Sequence, residues 1–286
     1  MVLVVGATGQ LGGTIARRLM AGGQNVRVLV RPATDAGAYG AGVCEIARGD
    51  LHDRASLDAA CKGIATVVTT ANSARRGGAD TVDTVDLNGT RSLIEAAKAA
   101  GVEHFIYTSV LGVTPESPVP FLAAKARNEA HLKASGMTWT ILAPNAFMES
   151  WPAMVVGMPA MAGKPVTIVG EGRRKHTFVS ERDVASFGVT AVTHPAARNR
   201  HIPIGGPEGL SWRDAAAVYE RVLGRPIEIR SVAAGTPIPG IPDVVLPFLA
   251  GLDAYESNFD AQPIAAEFGV RLTTLAEIAG AAPAHA

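Results

Sequence analysis

The feature that most constrains the fold is a glycine-rich segment near the amino terminus, residues 6–12, which reads GATGQLG. It follows a short apolar run at residues 2–5 and precedes a stretch of helical character at residues 13–20. Gly6 permits a tight turn after the strand, and Gly12 allows the helix to pack closely on that strand. Gly9 leaves the backbone open to close approach, because no Cβ stands in the way. The order strand, glycine turn and helix predicts the opening of a β-α-β unit.

The amino end of this first helix is also a predicted anion site. The first turn of a helix carries N–H groups without intrahelical acceptors and the positive end of the helix dipole. A diphosphate suits such a loop, so the sequence predicts a dinucleotide-binding turn. The residues expected to form the cradle are Gly6, Thr8, Gly9, Gln10, Leu11 and Gly12.

The rest of the first half alternates short apolar runs with helical stretches, which predicts a parallel sheet covered on both faces by right-handed crossovers. Strands are predicted at residues 25–30, 45–47, 66–70, 104–108 and 138–142, and helices at residues 54–61, 81–100 and 121–135.

After Pro144 the pattern changes to a segment rich in Met, Pro and Gly, residues 146–175. Helices at 180–193 and 211–223 and strands at 201–204 and 227–232 are predicted beyond it. The expected architecture is α/β, with a doubly wound parallel sheet in a nucleotide-binding domain at residues 1–150. Residues 151–286 are expected to form a smaller α/β substrate lobe, from which residues 180–205, approximately, return to the first domain.

Arg31 follows the second predicted strand, where the choice between two nicotinamide dinucleotides is made. An acid at this place binds the ribose 2′-OH of NAD, whereas an arginine accommodates the 2′-phosphate of NADP. The sequence therefore favours NADP(H), with NAD(H) left open.

Other residues at predicted strand ends are candidates for nucleotide contact. Asp50 and Leu51 are expected to line the adenine, although Asp50 can equally be a turn residue. Thr70, Ala71 and Asn72 end the fourth strand and are expected to pass close to the nucleotide. The pair Arg75-Arg76, in a glycine-flanked loop, could touch phosphate or only solvent.

The chain resembles the short-chain dehydrogenase/reductase superfamily, and more narrowly its atypical NmrA-like branch. The segments that carry the resemblance are GATGQLG at 6–12, Arg31, GDL at 49–51, YTS at 107–109, Lys125 and ILAPNAFMES at 141–150. That branch includes NADPH-dependent quinone reductases, isoflavone-reductase-type enzymes and redox-sensing regulators. The resemblance implies a Rossmann domain with a smaller C-terminal substrate lobe and a cofactor lying across the carboxyl ends of the strands.

One departure from the family pattern concerns the proton donor. Classical members carry Tyr-x-x-x-Lys, but residues 121–125 read FLAAK here, and Phe121 has no ionisable proton. The resemblance implies that Lys125 holds the nicotinamide ribose and acts electrostatically; the alternative is a solvated helix lysine. Ser109, at the end of the fifth strand, is expected near the nicotinamide or as a loop-capping hydroxyl. Lys125 and Ser109 are the predicted catalytic residues.

Three functions remain open without the tyrosine. The first is an NAD(P)H-dependent oxidoreductase that transfers hydride to a quinone or another conjugated or aromatic carbonyl, because a quinone accepts hydride readily and its reduced anion is delocalised. The second is a non-catalytic NAD(P)-binding redox sensor that acts through a protein partner. The third is a tailoring enzyme, reductase or oxygenase-type, for an aromatic polyketide-like natural product.

Composition narrows the partners. Twenty-six basic and 26 acidic side chains give a formal net charge of zero, so direct binding to nucleic acid is not expected. Two cysteines and scattered histidines predict neither a disulfide framework nor a metal site. No apolar run reaches the ~18 residues needed to span a bilayer, and the amino terminus lacks the pattern of a signal peptide. A cytoplasmic protein without membrane contact is expected, with a homodimer left open.

Overall fold

The computed structural model describes residues 1–39, 44–74 and 77–281. The pair Arg75-Arg76 lies outside the described residues. No helix among the residues described is both long and apolar enough to cross a membrane.

The described residues contain a seven-stranded sheet in the order β3-β2-β1-β4-β5-β6-β8, and a separate parallel pair of β7 and β9. The strands are β1 (Val2–Val5), β2 (Val26–Val30), β3 (Glu45–Arg48), β4 (Thr66–Thr69), β5 (His104–Thr108), β6 (Thr138–Pro144), β7 (Val166–Val169), β8 (Arg200–Ile204) and β9 (Ile229–Val232). The pairings from β3 across to β6 are parallel. The chain winds outward from β1 through β2 to β3, then returns to the other side of β1 with β4. The predicted doubly wound α/β fold is confirmed, with its reversal of strand order between β1 and β4.

The helices of the described residues are α1 (Gln10–Ala21), α2 (Arg54–Cys61), α3 (Thr90–Ala99), α4 (Pro120–Lys133), α5 (Met158–Met161), α6 (Glu181–Ala191), α7 (Trp212–Leu223), α8 (Leu246–Ala254), α9 (Gln262–Glu267) and α10 (Leu275–Ala281). Helices α1 to α7 lie between successive strands in the chain order, and the last three helices follow β9.

The predicted helix at 81–100 is two segments, because a π-helix at Val82–Gly89 runs into α3. Thr81 caps the π-helix through a reciprocal capping box with Thr84. Gly89 packs directly on Leu51, whose Cβ would lie 2.8 Å from a Cβ at position 89. Widened turns of this kind are frequent at functional sites.

The chain divides into two compact units. The first consists of Met1–Ala143 with Val184–Ile202, and the second of Pro144–Asp183 with Pro203–Ala286. In the first unit, β1, β4 and β5 are buried along their whole length, so apolar and polar residues do not alternate along them as they would in a strand with one exposed face.

The second unit has its own apolar core around the β7–β9 pair. The rings of Phe178 and Trp212 pack in this core with centroids 5.3 Å apart. Strand β7 was not predicted, because its four residues are too short a β-branched run to stand out among neighbouring Met, Pro and Gly residues.

Candidate functional site

The glycine loop packs against the end of β4, and this contact accounts for two of its three glycines. Gly6 has a φ of 91°, and a Cβ there would lie 2.7 Å from Thr70 Oγ1. A Cβ on Gly12 would lie 2.6 Å from the same oxygen and would overlap the Gly6 carbonyl. Real Cβ atoms do not approach that closely, so glycine is required at both positions by the chain itself.

Gly9 differs from the other two glycines. A Cβ at this position would meet only the Gly6 carbonyl oxygen, at 3.3 Å, and its φ of −85° is open to any residue. Residues Thr8, Gly9 and Gln10 are exposed. The chain alone therefore gives little reason for glycine at position 9, whereas a ligand that approaches the backbone would.

The first turn of α1 has the features of a helix terminus that can accept an anion. Gly9 caps α1 without a side-chain hydrogen bond, and the first helical bond runs from Gly13 N to Gly9 O at 2.8 Å. The N–H groups of the helical residues that precede Gly13 lie ahead of the intrahelical ladder, where a helix offers donors to an anion. No acidic residue lies in this first turn to repel an anion.

At the ends of β2 and β3, a carboxylate joins two basic side chains. Arg31 Nη1 lies 3.3 Å from Asp80 Oδ2, and His52 Nε2 lies 2.8 Å from Asp80 Oδ1. Asp50 Oδ1 accepts from the backbone N–H of His52 at 3.0 Å, which is the Asx turn that the alternative interpretation of Asp50 predicts. The Leu51 side chain is buried in the core of the first unit, and its contact with an adenine stays a prediction.

The three residues that directly follow β4, which were predicted to end that strand, take different places. Thr70 faces the glycine loop as described, and Ala71 is buried. Asn72 Oδ1 accepts from the backbone N–H of Ala74 at 3.0 Å, which shapes the turn that leaves the strand.

Lys125 is not the solvated helix lysine of the alternative interpretation, since it is only 4% exposed. Its Nζ donates to the Thr108 carbonyl at 3.0 Å at the carboxyl end of β5. The ammonium also lies over two rings, 4.8 Å from the centroid of Tyr107 and 5.3 Å from that of Phe121. Phe121 therefore provides an aromatic ring beside the lysine, as the tyrosine of the Tyr-x-x-x-Lys pattern would, but it has no hydroxyl group.

The electrostatic state of Lys125 follows from its surroundings. Burial lowers the pKa of its ammonium to about 8, and the carboxylates of Asp86 and Glu129 act in the opposite direction. Burial also raises the pKa of Tyr107, so this phenol is no ready proton donor at neutral pH. Lys125 is therefore a buried cation that titrates close to the physiological pH range.

Asp86 and Asn128 are buried together with Lys125, and the three side chains form a buried polar cluster. Asp86, 1% exposed, accepts from the Ser73 backbone N–H at 3.1 Å through Oδ2. Asn128 Nδ2 donates to the Asp86 carbonyl at 2.5 Å, which ties α4 to the π-helix. The cluster holds α4, and Lys125 with it, in register with the end of β5.

Ser109 donates its hydroxyl hydrogen to Glu129 Oε1 at 2.5 Å. Burial would raise the pKa of Glu129, but the contacts with His201 and Ser109 and the charge of Lys133 outweigh it, so the pKa lies below its ordinary value. His201 Nε2 lies 3.6 Å from Glu129 Oε1, and Lys133 Nζ lies 3.7 Å from Oε2. Glu129 is therefore a carboxylate at neutral pH, and Ser109 presents lone pairs and not a hydrogen to any other neighbour.

Sequence reasoning missed several of these residues. Asn128 and Glu129 lie three and four positions after Lys125, a spacing that places them on its helix face and that could have identified them. Asp80 and His52 lie in turns, where no periodicity connects them with Arg31.

Comparison with known proteins adds the following. A family model described as "NAD(P)H-binding" matches residues 6–195. The chain is 32% identical to NAD(P)H azoreductase of Xenophilus azovorans, over 79% of this chain and 75% of the relative. It is 31% identical to the photosystem II assembly factor Ycf39 of Cyanophora paradoxa, over 81% of this chain and 71% of the relative.

Among solved structures, the NADPH complex of the quinone oxidoreductase QOR2 of Escherichia coli is similar with a TM-score of 0.82. The match covers 98% of both chains at 24% identity. At this identity the similarity concerns the fold.

Proposed function

Because the chain belongs to the NAD(P)H-binding family, in the NmrA-like branch of atypical short-chain dehydrogenases/reductases, we propose that it is an NADPH-dependent oxidoreductase that transfers hydride to a quinone or another conjugated aromatic carbonyl. The observation that carries the proposal is the pairing of a buried Lys125 ammonium with the ring of Phe121. This pairing offers positive charge for a developing oxyanion but no phenolic proton.

The chain's own residues would hold the cofactor along the carboxyl ends of the central strands. The glycine loop and the first turn of α1 bind the diphosphate, and Arg31 binds the 2′-phosphate. The ammonium of Lys125 on α4 lies at the carboxyl end of β5, where it would bind the nicotinamide ribose. When bound, the dihydronicotinamide supplies the hydride.

Lys125 stabilises charge on the reduced acceptor. Thr108 O accepts one of the three hydrogens of its ammonium, and a charge held in a buried setting acts more strongly than one in water. Since Glu129 accepts the Ser109 hydrogen, Ser109 orients its neighbours as an acceptor and does not protonate the product.

These features favour acceptors whose reduced form needs no strong acid. A hydroquinone anion spreads its charge over the ring system and takes its proton from water, whereas the alkoxide from a simple ketone needs a proton donor in the transition state. The relative named an NAD(P)H azoreductase is in keeping with an electron-poor conjugated acceptor.

The test is NADPH consumption by the purified protein with a panel of quinones, enones, azo compounds and simple ketones. We expect turnover with quinones and little with ketones. The variant Phe121→Tyr should keep quinone reduction within about threefold, because the proton is not limiting there. Turnover with ketones alone, or with no acceptor at all, would contradict the proposal.

A second candidate is a non-catalytic NAD(P)-binding protein that acts through a protein partner. The similarity to an assembly factor supports it, since that relative is 31% identical over most of its length. Tight NADPH binding without oxidation by any acceptor, together with a partner that binds only in the presence of the nucleotide, would favour this candidate over the reductase.

A further inference from the structure

Each oxygen of the Asp80 carboxylate contacts a basic side chain. Arg31 Nη1 faces Oδ2 at 3.3 Å and His52 Nε2 faces Oδ1 at 2.8 Å. Two nitrogen donors directed at adjacent oxygens of one anionic group are also what a bound phosphate requires. Asp80 thus takes between Arg31 and His52 the position that a phosphate oxygen pair would take.

We propose that Asp80 is a specificity-determining residue that competes with the 2′-phosphate of NADP(H) for Arg31 and His52. The inference rests on the proposed function, which places the 2′-phosphate at Arg31. When a 2′-phosphate binds, it replaces the carboxylate on both basic groups; NAD(H), which carries a hydroxyl there, leaves Asp80 in place. Asp80 therefore narrows the difference in affinity between the two cofactors.

Exchange of the two anions is feasible because the basic partners are accessible. The Arg31 and His52 side chains are 43% and 37% exposed, and ion pairs at such positions contribute little to stability. A phosphate carries more negative charge and more acceptor oxygens than a carboxylate, so it is the stronger ligand for both groups.

The competitor nevertheless remains close to the site. The Asp80 side chain is only 14% exposed, and it immediately precedes Thr81, which caps the π-helix. Asp50 adds a second carboxylate oxygen 4.0 Å from His52 Nε2. A phosphate bound at Arg31 and His52 would therefore meet negative charge from Asp80 and Asp50, and removing the Asp80 charge should strengthen its binding.

The test compares the binding of adenosine 2′,5′-bisphosphate and AMP by titration calorimetry. In Asp80→Asn the bisphosphate should bind about three- to tenfold more tightly, with AMP changed by less than about twofold. The matched control is Glu45→Gln, which removes a β3 carboxylate that pairs with Arg27 of β2 near the amino ends of these two strands, away from Arg31 and His52 at their carboxyl ends. This control should change neither affinity by more than about twofold.

A second variant tests the other basic group. His52→Ala should weaken the bisphosphate about threefold and leave AMP unchanged. Asp80→Ser provides a replicate should Asp80→Asn fold poorly, with the same expected direction.

The outcomes separate this inference from the proposed function. If AMP binds but Asp80→Asn and Asp80→Ser bind the bisphosphate no tighter than the wild type, the competition is overturned while the nucleotide site stands. If the wild type binds neither compound, the proposed function is overturned together with this inference.

Discussion

At the scale of single residues, the site depends on what surrounds two charged groups on α4. The carboxylates of Asp86 and Glu129 favour the charged form of the buried Lys125 ammonium. Glu129 also accepts the hydroxyl hydrogen of Ser109 and so orients that hydroxyl. Neither arrangement follows from residue type alone. Each leads to an expectation that can be measured.

The first prediction concerns the pH dependence of turnover. Burial lowers the pKa of Lys125 to about 8, below its ordinary value, so the ammonium is lost as the pH rises through that region. We expect kcat for quinone reduction to fall above about pH 8. In Lys125→Met, kcat should be lower by about 10- to 100-fold and this alkaline limb should be absent. AMP affinity, which we expect to depend on the glycine loop, serves as the control for folding; an unchanged alkaline limb in the variant would exclude Lys125 as its source.

The second prediction concerns Glu129 and stability. Its folded-state pKa is depressed, so its stabilising contribution is present above the ordinary carboxyl pKa and is lost as the pH falls through the folded-state pKa. Glu129→Gln should therefore lower the Tm at pH 7, and the difference from the wild type should narrow below about pH 4.5. A Tm difference that stays constant down to pH 3.5 would show that the carboxylate charge is not responsible.

At the scale of elements, the loop between β1 and α1 separates a structural from a binding requirement for glycine. Gly12 has no room for a Cβ because of Thr70 and the Gly6 carbonyl, whereas Gly9 faces outward. Packing within the chain therefore requires glycine at position 12, whereas binding of a ligand would require it at position 9. Substituting each glycine separately distinguishes the two requirements.

The third prediction follows from this difference. Gly9→Val should abolish NADPH binding and leave the Tm within about 2 °C of the wild type, because the new side chain projects into the place of the diphosphate. Gly12→Val should lower the Tm strongly as well as abolish binding, since its Cβ would overlap neighbouring backbone. Calorimetry and thermal melts of both variants provide the measurement. Normal affinity in Gly9→Val would remove the diphosphate from this loop.

The elements that the sequence predicted well are those with a local signal. The strand–glycine–helix order at residues 2–21 and the alternation up to β6 depend on period and punctuation, and the structure has them close to the predicted bounds. The π-helix at Val82–Gly89 and the strand β7 were missed. The π-helix packs closely on Leu51 through Gly89, and β7 pairs with β9; both contacts join segments far apart in sequence, which leave no local signal.

The candidate site divides in the same way. Gly6, Gly12 and Arg31 could be found from their position relative to predicted strands. The contacts of Asp80 with Arg31 and His52 could not be predicted. They join the ends of β2 and β3 to a residue that precedes the π-helix. Long-range side-chain contacts of this kind carry no periodic signal in the sequence.

At the scale of the whole molecule, nucleotide binding should be visible as stabilisation of the unit that holds the glycine loop. A ligand at about 100 times its Kd adds ~2.7 kcal/mol to the free energy of unfolding. For a unit of this size we expect the corresponding thermal transition to rise by several degrees with NADPH, and more with NADPH than with NADH. Differential scanning calorimetry with each cofactor measures the shift, and Gly9→Val is the matched control that should not respond. An equal response of the variant would assign the stabilisation to another place in the chain.

The tract Val184–Ile202 supplies α6 to the first unit after an intervening stretch of the second. Arg18 Nη1 of α1 donates to Ser186 Oγ of α6 at 2.7 Å, and the backbone of Gly188 comes so close to Ile15 that a Cβ would lie 2.9 Å from its Cδ1. When synthesis has reached only β6, α6 has not yet been made. The side of α1 that α6 contacts is therefore still uncovered. Until α6 emerges, the nascent chain exposes apolar surface that the finished unit covers, and such surface is prone to aggregation during synthesis.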